Sequence, residues 1–211
     1  TLNQTELSRL KFPVGEYTKK EIRDLAKEAG LPVADKPDSQ EICFIPTGNY
    51  REFVKVRVTP KPGDFIDVAG NVIGKHPGIQ FFTVGQRRKL NLASEGGKPR
   101  FVLRIDPDTN QITLGDDTDL YQTTFLCDRL SFTSSINTNN VLSVNARIRY
   151  KANDAPASVR FVGEGAEVIF NEPQRAITPG QPVVFYVGNE MIGGGIIKHP
   201  VIQREPHNLT V

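Results

Sequence analysis

From about residue 44 to residue 197 the chain is written in short apolar runs, each closed within a few residues by turn formers. Phe65 to Val68 and Val72-Ile73 flank Ala69-Gly70-Asn71, and Phe101 to Ile105 and Ile112 to Leu114 flank Asp106-Pro107-Asp108-Thr109-Asn110. Val144 to Tyr150, Ser158 to Val162 and Glu167 to Phe170 follow. Val183 to Val187 and Met191 to Ile197 flank Gly188-Asn189, a pair suited to a primed hairpin turn. This spacing predicts a mainly β chain built as small antiparallel barrels or sandwiches. The polar stretch Thr133 to Asn140 reads as a loop or a domain boundary. Gly193-Gly194-Gly195 interrupts the last run and marks a bulge, a barrel corner or the close approach of another backbone, of which the corner is favoured.

One segment carries a strong helix signal. Thr18 and Glu21 form a capping box, and Ile22, Leu25, Ala26 and Ala29 follow as one apolar stripe. Gly30 and Pro32 end the helix. So short a stripe needs a surface to pack on, and that surface is expected to lie outside this chain. The chain starts Thr1-Leu2-Asn3-Gln4 without an initiator Met and is expected to be a fragment.

Composition excludes several classes. No apolar run approaches the ~20 residues of a membrane helix, and the N-terminus lacks a secretion pattern. Two cysteines, Cys43 and Cys127, make no disulfide framework and no metal-ligand spacing, so a cytoplasmic protein without bound metal is expected. There is no G-x-S-x-G and no phosphate-cradling Gly loop before a helix. Net charge is +2 but uneven. Residues 85–104 carry six Lys and Arg against Glu95, a local +5, whereas residues 105–128 carry six Asp and no Lys or Arg. This pattern fits one anion-binding face, or else two solvated loops of opposite sign.

Two basic groups suit a phosphate backbone. One is Gly85-Gln86-Arg87-Arg88-Lys89, on a turn after a strand. The other is Arg147-Ile148-Arg149-Tyr150-Lys151, in which alternation puts Arg147, Arg149 and Lys151 on one strand face. Three cations are costly to bury, so that face meets solvent or an anion, and Tyr150 beside it can stack on a base. Cys43, between Ile42 and Phe44, is by residue type alone a small buried hydrophobe; Asp38 and Glu41 do not favour its thiolate. Cys127 reads as core.

Several segments together resemble the tRNA-specific 2-thiouridylases. They are Phe12-Pro13-Val14-Gly15, Leu31-Pro32-Val33-Ala34, Asp38-Ser39-Gln40-Glu41-Ile42-Cys43-Phe44, Gly74-Lys75-His76-Pro77-Gly78, Thr83-Val84-Gly85-Gln86-Arg87, Arg149-Tyr150, Thr178-Pro179-Gly180-Gln181 and Gly193-Gly194-Gly195-Ile196-Ile197. The D-S-x-x-I-C-F element followed by T-V-G-Q-R is the specific part. The resemblance implies an enzyme that thiolates the wobble uridine of tRNA at C2, by ATP-dependent adenylation and a cysteine persulfide. It implies Cys43 as the persulfide cysteine, loaded by a sulfur-carrier protein. It implies Arg149, Tyr150 and Gln181 as tRNA contacts, joined by Arg147, Lys151, Gln86, Arg87 and Arg88.

The expected division is a tail of an ATP-binding catalytic domain (1–45), a small central β-rich domain (46–125), a C-terminal antiparallel β-barrel (126–205) and a short tail (206–211). ATP with Mg is expected in an N-terminal domain whose Ser-Gly-Gly-x-Asp-Ser loop this sequence lacks, so the chain alone is expected to be inactive. After Gln86-Arg87 the family has a basic residue and then Gly-Leu-Gly, whereas this chain reads Arg88-Lys89-Leu90-Asn91. The competing expectation is a non-enzymatic RNA-binding β-barrel module of translation-factor type, which has no need of the Cys43 element.

Overall fold

The computed structural model describes residues 2, 4–37, 45, 49–92, 99–133, 135–150 and 152–200, without the side chains of His199 and Pro200. The chain divides into two compact units, Thr5–Thr59 and a second formed by Pro60 onward with the first four residues.

α1 (Gln4–Leu7) is a single turn, and in the first unit α2 (Lys19–Glu28) is the helix the sequence announces. Thr18 accepts from the Glu21 N–H, and the Glu21 carboxylate accepts from the Thr18 N–H at 2.6 Å, which completes the capping box. The Thr18 hydroxyl, which donates to the same carboxylate at 2.7 Å, and then the Thr18 N–H hold the Glu21 carboxyl below its ordinary pKa. At the other end Gly30 stands at φ 65°. Gly30 N–H donates to the Lys27 carbonyl and Leu31 N–H to that of Ala26, the Schellman pattern. No residue of α2 is buried, and Leu25 is exposed. A further helix, α3 (Tyr50–Lys55), is capped by Asn49, whose side chain accepts from the Glu52 N–H. It falls where the sequence reads as β, because six residues are too few to show a helical period.

The second unit opens with a four-stranded sheet of β1 (Gly63–Ile66), β2 (Val72–His76), β3 (Phe101–Asp106) and β4 (Gln111–Gly115), in the order β2-β1-β4-β3. Each hairpin turn is built by an aspartate. Asp67 accepts from the Ala69 and Asn71 N–H groups, and Asp106 from those of Asp108 and Thr109. The expected antiparallel pattern fails at one place, since β1 and β4 run parallel. The long connection 77–100 lets the second hairpin lie beside the first in that direction.

Phe65, Val102, Ile112 and Leu114 are fully buried in this sheet. His76, followed by Pro77, closes β2 and is buried. It packs edge-on against Phe65 and Phe82, with ring centroids 5.2 and 5.7 Å away. Its Nδ1 accepts from the Gly78 N–H. Burial lowers its pKa, offset in part by the Asn110 backbone and the Asp64 carboxylate.

Six strands then close a barrel in the order β10-β5-β8-β7-β6-β9. They are β5 (Tyr121–Phe132), β6 (Leu142–Arg147), β7 (Ala155–Val162), β8 (Gly165–Arg175), β9 (Pro182–Val187) and β10 (Glu190–Pro200), and every pairing is antiparallel. Alternate residues fill the interior: Phe125 and Cys127, Val144 and Ala146, Ala157 and Val159, Ala166, Val168 and Phe170, Val183 and Phe185. Residues 135–140, in the polar stretch, lie outside strands between β5 and β6 of the same barrel. β5 runs through the expected 125/126 boundary.

Candidate functional site

The approach to the Cys43 element is latched by α2. Arg23 donates through Nη1 to the Ala34 carbonyl and through Nη2 to that of Lys36, both at 3.1 Å. Lys27 pairs with Asp35 at 2.9 Å. This helix therefore fixes the backbone just ahead of the D-S-x-x-I-C-F element. Cys43 itself lies outside the described residues, as does Lys151.

The T-V-G-Q-R turn is held by its own glutamine. Gln86 Oε1 accepts from the Thr83 N–H at 3.1 Å and its Nε2 donates to the Arg88 carbonyl at 2.9 Å. Gln86 is thus engaged in building the turn. Its backbone carbonyl accepts from Val102 N–H, and Gly85 N–H donates to the Val102 carbonyl, which zips the turn to β3. Arg87, Arg88 and Lys89 are exposed on it. Lys89 and Asn91 stand at φ 63° and 54°. These are the two places where the resembled family has glycine, so the turn keeps the left-handed geometry without it. A side chain there costs about 1 kcal/mol, less for Asn. Lys89→Gly is accordingly expected to raise stability by about 0.5–1 kcal/mol, read as a shift of the urea midpoint with an unchanged m value.

The second basic group is not the stripe that alternation suggests. Strand β6 ends at Arg147 and Ile148 turns into the core. Arg149 and Tyr150 sit in the bend that follows. Arg147 pairs with Asp154 at 3.0 Å and lies over the Tyr186 ring at 5.3 Å. That hydrogen bond holds the Asp154 carboxyl below its ordinary pKa. Arg149 donates through Nη2 to the carbonyls of Arg175 and Ala176, the latter at 2.6 Å. Desolvation, and then the neighbouring Arg175 cation, lower its pKa. Tyr150 is left 94% exposed.

The T-P-G-Q turn meets this bend. Thr178 Oγ1 donates to the Ala176 carbonyl at 2.9 Å. Gly180 N–H donates to the Ile197 carbonyl, and Ile197 N–H to that of Gln181. The Gln181 side chain stays exposed. Because Arg147 pairs with Val184 in the β6–β9 ladder, Arg149-Tyr150 and Gln181-Pro182 lie at the same end of adjacent strands.

Residues 175–176 join these pieces to the sheet. Ala176 is buried at φ 53°, its N–H donates to the Leu120 carbonyl at 2.7 Å, and it packs in a cluster with Phe101 and Leu120. A Cβ on Gly85 would stand 3.0 Å from that of Ala176, so the T-V-G-Q turn touches the barrel here. Arg175 binds Asp117 through Nε and Nη2 at 3.1 and 2.7 Å. Sequence reading passes over Arg175, Ala176 and Asp117, because none of the three stands in a recognisable motif.

Cys127 is buried in the barrel interior. Burial, with the nearby Asp128 adding to it, pushes its thiol up to about 11 against one lowering hydrogen bond at Ala166. A thiol so protonated is a poor nucleophile. Among the described residues no His, Cys, Asp and Glu group could hold a metal, and no helix is long and apolar enough to cross a membrane.

Three domain families match in succession: a tRNA methyl transferase HUP domain at residues 1–47, a tRNA methyl transferase PRC-barrel domain at 51–116 and an aminomethyltransferase β-barrel domain at 122–197. The tRNA-specific 2-thiouridylase MnmA of Carboxydothermus hydrogenoformans is 46% identical over 200 residues, covering 93% of this chain and 54% of that protein. The proteins of the same name from Acetivibrio thermocellus and Heliobacterium modesticaldum are 44% and 46% identical, each over 93% of this chain and 55% and 52% of theirs. The chain thus spans about half the length of the curated relatives it matches. With these domains matched in order along the sequence, and such identity over nearly all of it, the chain belongs to the tRNA-specific 2-thiouridylase (MnmA) family.

Proposed function

We propose that this chain is the tRNA-binding and sulfur-carrying part of an enzyme that thiolates the wobble uridine of tRNA at C2. Cys43 carries the sulfur as a persulfide received from a carrier protein, and the attacking sulfur is a thiolate or perthiolate. The domain descriptions speak of methyl and aminomethyl transfer, whereas the relatives' names specify thiolation. The D-S-x-x-I-C-F element favours the second, since a sulfur-delivering cysteine has no part in methyl transfer.

The observation that carries the RNA-binding reading is the convergence of three separate motifs on one junction. T-V-G-Q-R, Arg149-Tyr150 and T-P-G-Q all meet around Ala176. The junction leaves an exposed aromatic ring, an exposed amide and exposed cations, which are groups that stack on bases, read edges and meet phosphates. The sequence has no Gly-rich loop before a helix to cradle the phosphates of ATP. Adenylation is therefore assigned to a domain beyond the half of the relatives that this chain matches.

The test is tRNA binding measured across salt concentrations. Arg87→Ala and Arg88→Ala are each expected to weaken binding and to flatten the slope of log K against log salt by roughly 0.7–0.9 for each phosphate no longer neutralised. Unchanged slopes in both variants would remove the turn from the RNA interface.

A further inference from the structure

We propose that Arg175 is a positioning residue that sets the spacing between the two groups facing tRNA, an inference that rests on the RNA-binding reading above. Its side chain grips the sheet side of the junction. Both Nε and Nη2 reach Asp117 Oδ1, and the guanidinium lies 5.4 Å from the centroid of the Phe101 ring. Its backbone grips the barrel side, where its carbonyl and that of Ala176 take both hydrogen bonds from Arg149 Nη2. Ala176 in turn touches Gly85, from which the chain passes through Gln86 to Arg87 and Arg88. One residue therefore has the Arg87-Arg88 turn on one side and the Arg149-Tyr150 bend on the other.

The pair with Asp117 is half-exposed, at 36% and 49% for the two side chains. A pair so open to solvent contributes little to folding. What it supplies is orientation: two N–H bonds to one carboxylate oxygen and a neighbouring aromatic ring allow the guanidinium few alternatives. Phosphates along RNA stand at set intervals, so a fixed distance between two contact groups saves the ordering cost of binding. The turn bearing Asp117 is held independently by Asp119, which accepts from the Asp116 N–H at 2.8 Å. Substitution at 117 thus leaves the turn its own support.

The experiment measures tRNA affinity and its salt slope for the wild-type chain, Arg175→Ala, Asp117→Ala and the swap Asp117→Arg with Arg175→Asp, with thermal melts to confirm folding. Each single variant is expected to weaken binding by about tenfold at an unchanged slope, and the swap to recover most of the loss. Asp117→Ala decides between charge and geometry. Removing a carboxylate near a face that binds a polyanion strengthens binding if only charge counts. Affinity at or above wild type in Asp117→Ala overturns the proposal, as does a slope reduced by roughly 0.7–0.9 in Arg175→Ala, which marks a direct phosphate contact. A swap no better than the single variants overturns it too. Absence of saturable tRNA binding by the wild type is a separate result: it sinks the RNA reading, and this proposal with it.

Discussion

Cys43→Ser is expected to abolish 2-thiolation of tRNA by the enzyme that carries this chain, and Cys127→Ser to preserve it. Both cysteines sit among apolar residues in the sequence, Cys43 between Ile42 and Phe44 and Cys127 after Phe125-Leu126. Residue type alone treats them alike. Serine is nearly isosteric with cysteine but cannot carry a persulfide sulfur or form a disulfide, so at Cys43 the change removes the chemistry and spares the fold. At Cys127 the physics is different. The thiol is buried beneath the barrel strands and pushed up to about 11, so it is protonated and inert at neutral pH. Placing a hydroxyl there costs about 1–3 kcal/mol of stability without touching transfer. The readouts are the thiouridine content of tRNA after reaction and thermal melts of both variants. Thiolation retained by Cys43→Ser, or lost in a well-folded Cys127→Ser, would overturn the assignment.

A large effect on stability is expected at Gly194. Strand β10 pairs with both β5 and β9 and so closes the barrel. A Cβ on Gly194 would stand 2.2 Å from the Val183 carbonyl oxygen and 3.3 Å from Val184 Cα. Both are backbone atoms of the paired strand and cannot swing aside as a side-chain tip can. Gly194→Ala must then push β9 away from β10 along their register. The expected cost is about 3 kcal/mol or more. In a chain of this size that corresponds to a fall in Tm of about 10 °C. Gly163→Ala is the control: its φ is 58° but no atom lies within 4 Å of the added methyl, so only left-handed strain of about 1 kcal/mol applies. Equal melting of the two variants would mean that β9 yields freely at this seam. The three glycines therefore mark close backbone approach together with ladder shifts on both sides of β10, more than the corner their sequence favours.

Much was legible because its cause is local. The capping box of α2 needs only Thr18 and Glu21, three residues apart, and the Schellman end needs only Gly30. The turns at Asp67 and Asp106 are closed by side chains bonding a few residues onward. Alternation from Val144 to Ala146 and from Val183 to Phe185 shows which side of each strand is buried. Motif order along the chain was enough to suggest the family.

What tertiary structure alone decided has partners far away in sequence. Alternation carries β6 on through Tyr150, but the strand stops at Arg147 because Arg149 finds carbonyls 26 and 27 residues further along. A cation that meets two acceptors leaves the ladder, so Arg149 does not extend the strand face that Arg147 begins. Arg147 turns to Asp154 and Tyr186. His76 becomes core because Phe65 and Phe82 close around it, and β1 lies parallel to β4 because of where the second hairpin docks. Arg175 meets Asp117 across 58 residues. A period or a cap can be read from neighbours, since the same few residues both specify and form it. A carbonyl waiting on a distant strand leaves no mark near the arginine it captures, so the junction exists only once the barrel has closed.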